Sequence, residues 1–266
     1  MELLTRIETS RPSRHLQRQV RITLLLPPGY YRSSAYYPVL FLHDGQDING
    51  LKLEKTLNRM FQQQLIPPLI VAGIHAGHDR RQEYGVAARP DFAGRGAKAA
   101  FHAKFLTEEL RPFLIQHYRI KGDAAHHFLA GCSLGGLSAF DITWRHPEYF
   151  SRAGIFSGSF WWRSRDLGDG YDDATHRIMH AEIRGGIFQK DLKFWFQAGT
   201  EDEISDRNQN GIIDAIDDTL DLISELEEKG YRRGSDIVYV EVVGGRHNQE
   251  TWGKVMPDFL SWLCSQ

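Results

Sequence analysis

Gly131-Cys132-Ser133-Leu134-Gly135-Gly136 follows the apolar run His127-Phe128-Leu129-Ala130 and precedes the helix-compatible run Leu137-Ser138-Ala139-Phe140-Asp141-Ile142. A Gly-x-Ser-x-Gly element between a strand and a helix has to turn very tightly. The residues two before and two after the serine must therefore be small. The serine is then held in a strained backbone conformation, its hydroxyl lifted clear of the sheet. The stretch predicts a strand–turn–helix unit with Ser133 as a nucleophile. Glycine-rich turns also serve purely structural ends, so the rest of the chain has to supply such a serine with partners.

Outward from this turn, short apolar runs alternate with helical patterns. Val20–Leu26, Tyr37–Leu42 and Leu69–Ile74 read as strands before it, and Ala153–Gly158, Phe194–Ala198 and Ile237–Val243 as strands after it. Phe101, Phe105, Leu106, Leu110, Phe113 and Leu114 fall on one helical face. So do Ile216, Leu220, Ile223 and Leu226, and later Trp252, Val255, Met256, Phe259, Leu260 and Leu263. This alternation predicts an α/β fold, a mostly parallel central sheet with helices on both faces. Ligands of such folds sit beyond the carboxyl ends of the strands. No linker, repeat or low-complexity segment divides the chain, so residues 1–266 are expected to form a single domain.

The 266 residues are 41% hydrophobic and 25% charged, which suits a globular protein with a large core. Lys+Arg 32 against Asp+Glu 34 leaves a net charge of -2, which gives no electrostatic case for nucleic acid. No run is long enough to span a membrane, and Met1–Glu8 lacks the layout of a secretory signal. With only Cys132 and Cys264, both expected as reduced thiols, a cytoplasmic location is expected. Cys132 adjoins Ser133, but that position of an elbow points away from the cleft, as a small buried apolar side chain.

A serine hydroxyl is a poor nucleophile until a base takes its proton, and the base needs a third group to fix its tautomer. Gly199-Thr200-Glu201-Asp202-Glu203 directly follows the 194–198 strand, and Gly244-Gly245-Arg246-His247-Asn248 follows the last strand. The chain order Ser, acid, His is that of α/β hydrolases. His247 is the expected general base, being the histidine on a glycine-rich loop after the last strand. Asp202 is the expected acid, with Glu201 second and Glu203 or Asp206 behind. An oxyanion intermediate needs two backbone N–H donors. Leu134, directly after the serine, and Gln46, in the loop His43-Asp44-Gly45-Gln46, are the expected pair.

Together these elements resemble the putative-esterase family of α/β hydrolases, which includes enterochelin esterases, feruloyl esterases and esterase D. The resemblance runs from about Val20 to about Trp262. Leu42-His43-Asp44-Gly45 looks like that family's oxyanion loop and Ala130–Gly136 its elbow. Gly199-Thr200-Glu201-Asp202 resembles its acid loop, with the acid on Asp202, and Gly244–His247 followed by Trp252 its histidine loop. Phe156-Ser157-Gly158-Ser159-Phe160-Trp161-Trp162 is similar to a segment of enterochelin-esterase-like members. The resemblance implies an α/β-hydrolase fold and a serine carboxylic-ester hydrolase working through an acyl-enzyme, without a catalytic cofactor. Its partner would be a small-molecule ester. An acyltransferase or thioesterase using the same triad, or a non-catalytic binding protein of the same fold, are the other readings of these residues. The oligomeric state is not legible.

Asp206-Arg207-Asn208-Gln209-Asn210-Gly211-Ile212-Ile213-Asp214-Ala215-Ile216-Asp217 independently matches a calcium loop. Asp206, Asn208, Asn210, Asp214 and Asp217 would offer side-chain oxygens and Ile212 its carbonyl, while Gly211 allows the sharp turn. Asp217 stands where Glu is usual. A structural Ca²⁺ is therefore expected, pinning the segment after Asp202. Two loops, Asp79–Gly85 and Asp91–Gly96, should overlie the strand ends. From them and the Trp pair, Arg81, Tyr84, Trp161 and Trp162 are the expected substrate-facing residues.

Overall fold

The computed structural model describes residues 2–168 and 170–265. Eight strands form one sheet: β1 (Thr5–Ser13), β2 (Arg18–Leu26), β3 (Val39–His43), β4 (Ile70–Ile74), β5 (His127–Cys132), β6 (Arg152–Phe156), β7 (Lys193–Glu201) and β8 (Ile237–Arg246). Their spatial order is β1-β2-β4-β3-β5-β6-β7-β8. The β1–β2 and β2–β4 pairs are antiparallel, and every other neighbouring pair is parallel. This is the α/β-hydrolase arrangement expected from the alternation of runs.

The interior strands are apolar on both faces. β3, β4 and β5 are buried throughout, because helices cover the sheet above and below. α1 (Leu53–Gln62) and α9 (Gln249–Cys264) cover one face, packing on Leu40, Leu42, Phe128, Ala130, Phe156 and Trp195. α2 (Arg80–Glu83) lies in a loop over the strand ends. The other face carries α3 (Ala99–Lys104), α4 (Arg111–His117) and α5 (Leu134–Arg145) over Phe41, Ile70 and Leu129. Beyond them α6 (Asp173–His176), α7 (Ile178–Gly185) and α8 (Asp214–Lys229) follow, the last two packing on Phe194 and Phe196. α9 lies so close to the sheet that a Cβ on Gly154 would overlap the Phe259 ring.

The helical stripe from Phe101 to Leu114 differs from a plain α-helix. A π-turn, Phe105–Leu110, joins α3 to α4 and adds a residue to that stretch of backbone. β1, with alternating half-buried and exposed residues, is an edge strand that the apolar-run pattern does not single out. Among the described residues no helix is long and apolar enough to cross a membrane.

Candidate active site

The turn after β5 is as tight as its glycines demand. A Cβ on Gly131 would overlap the Gly135 carbonyl carbon, and one on Gly135 would sit 2.9 Å from Asp44 Oδ2. Ser133 has φ 57° and ψ −125°, a conformation that costs a non-glycine residue free energy and persists only when its surroundings impose it. Here they do: the Ser133 amide donates to the Phe156 carbonyl at 2.9 Å, and α5 starts on the next residue. Cys132 points the other way, into the core under α9, and burial pushes its thiol well above the usual range.

Ser133, Leu134, Asp202 and His247 line one cleft of about 440 Å3 beyond the carboxyl ends of the strands. Ser133 Oγ lies 3.4 Å from Ser159 Oγ. Asp202 Oδ2 accepts the Gly199 amide at 2.9 Å, while its Oδ1 is buried and without a partner among the described residues. Glu201 turns outward to an ion pair with Arg246 at 2.9 Å. Glu203 also lines the cleft, and burial, aided by repulsion from Asp214, pushes its carboxyl up. Desolvation holds His247 below the ordinary histidine value; Asp202 opposes that shift and Arg80 adds to it. No hydrogen bond links His247 to Ser133 or to Asp202 among the described residues. Its ring meets Trp252 edge-on at 5.1 Å, and Trp252 Nε1 donates to Ser157 Oγ at 2.8 Å.

The β3 loop turns at Asp44, with φ 58°, into a single 3-10 turn, Gly45–Asp47. The Gln46 side chain is tied back, donating to Asp44 Oδ1 at 2.9 Å and accepting the Ala76 amide at 3.1 Å. Leu134 is among the cleft-lining residues; Gln46 is not. Asp44 is gripped by Arg80 through bonds of 2.7 and 2.8 Å.

Of the expected substrate-facing residues, Arg81 and Trp161 line the cleft. Tyr84 and Trp162 do not: contrary to the expectation from sequence, both are core residues, each 0% exposed. The Tyr84 hydroxyl accepts the Asp44 amide at 3.2 Å. The Trp162 ring fills the space that side chains at Gly85 and Gly96 would occupy. Adjacent residues of the segment point to opposite sides, so one tryptophan of the pair goes inward. Arg80 and Arg95 line the cleft as well, although the sequence reading did not single them out. Arg95 is anchored by buried Asp91 at 2.6 Å and lies over Trp161 at 4.8 Å. Ser159 has no signal in the sequence, because a hydroxyl three residues past a strand end gives no sign of which way it points.

The 206–217 loop folds on itself. Asp206 accepts the Asn210 and Gly211 amides at 3.1 and 2.9 Å, and Gly211 turns with φ 88°. Asn208 and Asn210 both donate to Asp217 Oδ2, at 3.0 and 2.7 Å. The Asn210 side-chain oxygen accepts the Ile212 amide at 2.7 Å. Asp214 is drawn aside, accepting the Arg207 amide at 2.9 Å and facing its guanidinium at 3.2 Å. Among the described residues, no group of three or more His, Cys, Asp or Glu side chains is placed to hold a metal ion. Arg207 and Arg177 both hold buried Asp218, at 2.5 and 2.8 Å, and Arg207 also takes Asp173 at 2.8 Å.

Comparison with known proteins agrees with this architecture. The protein YbbA of Bacillus subtilis (strain 168) is 24% identical over 255 residues, covering 94% of this chain and 95% of its own. A ferulic acid esterase structure superposes with a TM-score of 0.72 at 17% identity, covering 99% of this chain and 98% of that one. The enterobactin esterase of Shigella flexneri superposes with a TM-score of 0.76 at 19% identity, over 99% of this chain and 59% of that one. The family model described as putative esterase matches residues 13–263. A match of that extent places this chain in the putative esterase family, as an esterase-type hydrolase of the α/β-hydrolase fold.

Proposed function

We propose that the protein hydrolyses a small-molecule carboxylic ester through Ser133, His247 and Asp202. The observation that carries this is the strained Ser133 turn opening on a cleft that Asp202 and His247 also line. His247 takes the Ser133 proton as Oγ attacks the ester carbon, and returns it to the departing alcohol oxygen. Water then attacks the acyl carbon as His247 takes its proton, and His247 returns that proton to Ser133 Oγ as the Oγ–acyl bond breaks and the acid leaves. The bare Asp202 Oδ1 suits a partner on the histidine ring, where it would fix the tautomer and stabilise the imidazolium. Leu134 and Gln46 amides are the proposed oxyanion donors. Trp161 and Arg81 are the proposed substrate contacts. The test is hydrolysis of short p-nitrophenyl esters by the wild type and by Ser133→Ala. A loss of about 10³-fold or more in kcat is expected, and equal rates would refute the proposal.

The 206–217 loop is proposed to hold one structural Ca²⁺ through Asp206, Asn208, Asn210, Asp217 and the Ile212 carbonyl. The gathering of Asp206, Asn208, Asn210 and Asp217 into one small loop supports this. Asp214 is a poorer candidate, being engaged by Arg207. Metal analysis of the purified protein, with melting measured before and after EDTA, tests the site. Absence of calcium together with an unchanged melting temperature would dispose of it.

A further inference from the structure

Two buried histidines that the proposed proton relay does not use lie behind the Ser133 turn. His43 ends β3 and His102 sits on α3, and each is 1% exposed. His43 Nδ1 is 2.8 Å from the Gly135 carbonyl oxygen, and His102 Nε2 is 3.0 Å from His43 Nε2. A carbonyl can only accept, so the His43 proton is on Nδ1. Its Nε2 is then a bare acceptor, and His102 must donate to it from Nε2. His102 Nδ1 is left without a partner among the described residues, as the lone pair of a neutral ring. Burial holds both rings below the ordinary histidine value, which agrees with one proton on each.

On the esterase reading, this line of bonds joins the two elements that carry the proposed oxyanion donors. Gly135 lies in the first turn of α5, next to Leu134. His43 directly precedes Asp44, where the chain turns toward Gln46. Tyr84 closes the arrangement, its ring 5.0 Å from His43 and 5.1 Å from His102, and its hydroxyl on the Asp44 amide. The helix bearing His102 enters its π-turn three residues later, and Phe105 packs against the His102 ring at 6.3 Å.

We infer that His102 is a positioning residue: through His43 it sets the spacing between the Leu134 and Gln46 amides. This rests on the esterase reading, in which those amides are the oxyanion donors. The oxyanion forms only on the way to the tetrahedral intermediate. A change in donor spacing therefore lowers kcat and leaves ground-state binding nearly untouched.

The test compares His102→Leu, which removes the donor, with His102→Gln, which keeps an N–H of similar reach. Kinetics on a p-nitrophenyl ester are normalised to active sites titrated with a fluorophosphonate. In His102→Leu kcat should fall about tenfold or more, with KM within about twofold of wild type, and His102→Gln should recover most of the loss. An unchanged kcat in His102→Leu, an equal loss in both variants, or a loss confined to KM would overturn the inference. If His102→Leu does not fold, His102→Asn, whose amide stops short of His43, takes its place in the same comparison. Equal hydrolysis by wild type and Ser133→Ala would instead overturn the esterase reading and this inference with it. Ser133-dependent hydrolysis with full activity in His102→Leu overturns the positioning role alone.

Discussion

Asp202 has one carboxylate oxygen anchored on the Gly199 amide and the other bare, whereas Glu201 is spent on a surface ion pair with Arg246. That contrast favours Asp202 over Glu201 as the proposed acid. Asp202→Asn should lower kcat by roughly 10²- to 10⁴-fold, and Glu201→Gln by less than about twofold. The reverse ranking in steady-state kinetics would move the acid to Glu201. The base gives a second expectation. As the proposed base, His247 has to be neutral to accept the serine proton, and its cleft holds its pKa below the ordinary 6.5. The acid limb of kcat/KM should therefore have its midpoint below that value, and a midpoint above it would contradict the assignment.

At the scale of elements, strand and turn signals were legible because each depends on local chemistry. The glycines around Ser133 announce a turn that no larger residue fits, and the parallel strands announce themselves as unbroken apolar runs. The half-buried edge strand β1 escaped because alternation with charged residues is a weaker signal. Tyr84 and Trp162 were misread because side-chain direction in irregular loops is set by distant partners, Asp44 and the Gly85–Gly96 backbone. Equally invisible was the charge hub holding α8 to the segment before α7. Asp218 is buried between Arg177 and Arg207; burial pushes its carboxyl up, and both guanidiniums pull it down. Asp218→Ala would remove the buried acceptor of both guanidiniums and leave Arg177 on Asp221 and Arg207 on Asp173, at the edge of the hub. It should cost about 3–5 kcal/mol in denaturant unfolding, and a loss under about 1 kcal/mol would show that the hub contributes little.

For the whole molecule, buried neutral histidines set a limit in acid. His127 is held down to about 4 by burial and by Arg111, and His180 to about 3 by burial and Arg177. The unfolded chain takes up these protons near 6.5, before the folded chain does, so acid favours unfolding. Their contribution to stability is complete above 6.5 and is lost as pH falls through that value toward 4 and then 3. The melting temperature should drop across that window, and His127→Gln should flatten the slope; an unaltered slope would count against it. The close seat of α9 on the sheet has a different kind of consequence. Because Gly154 leaves no room beneath the Phe259 ring, two positions far apart in the chain share one volume. A descendant of this protein that gains even a methyl group at 154 has to surrender ring atoms at 259, so the pair is inherited as a single character.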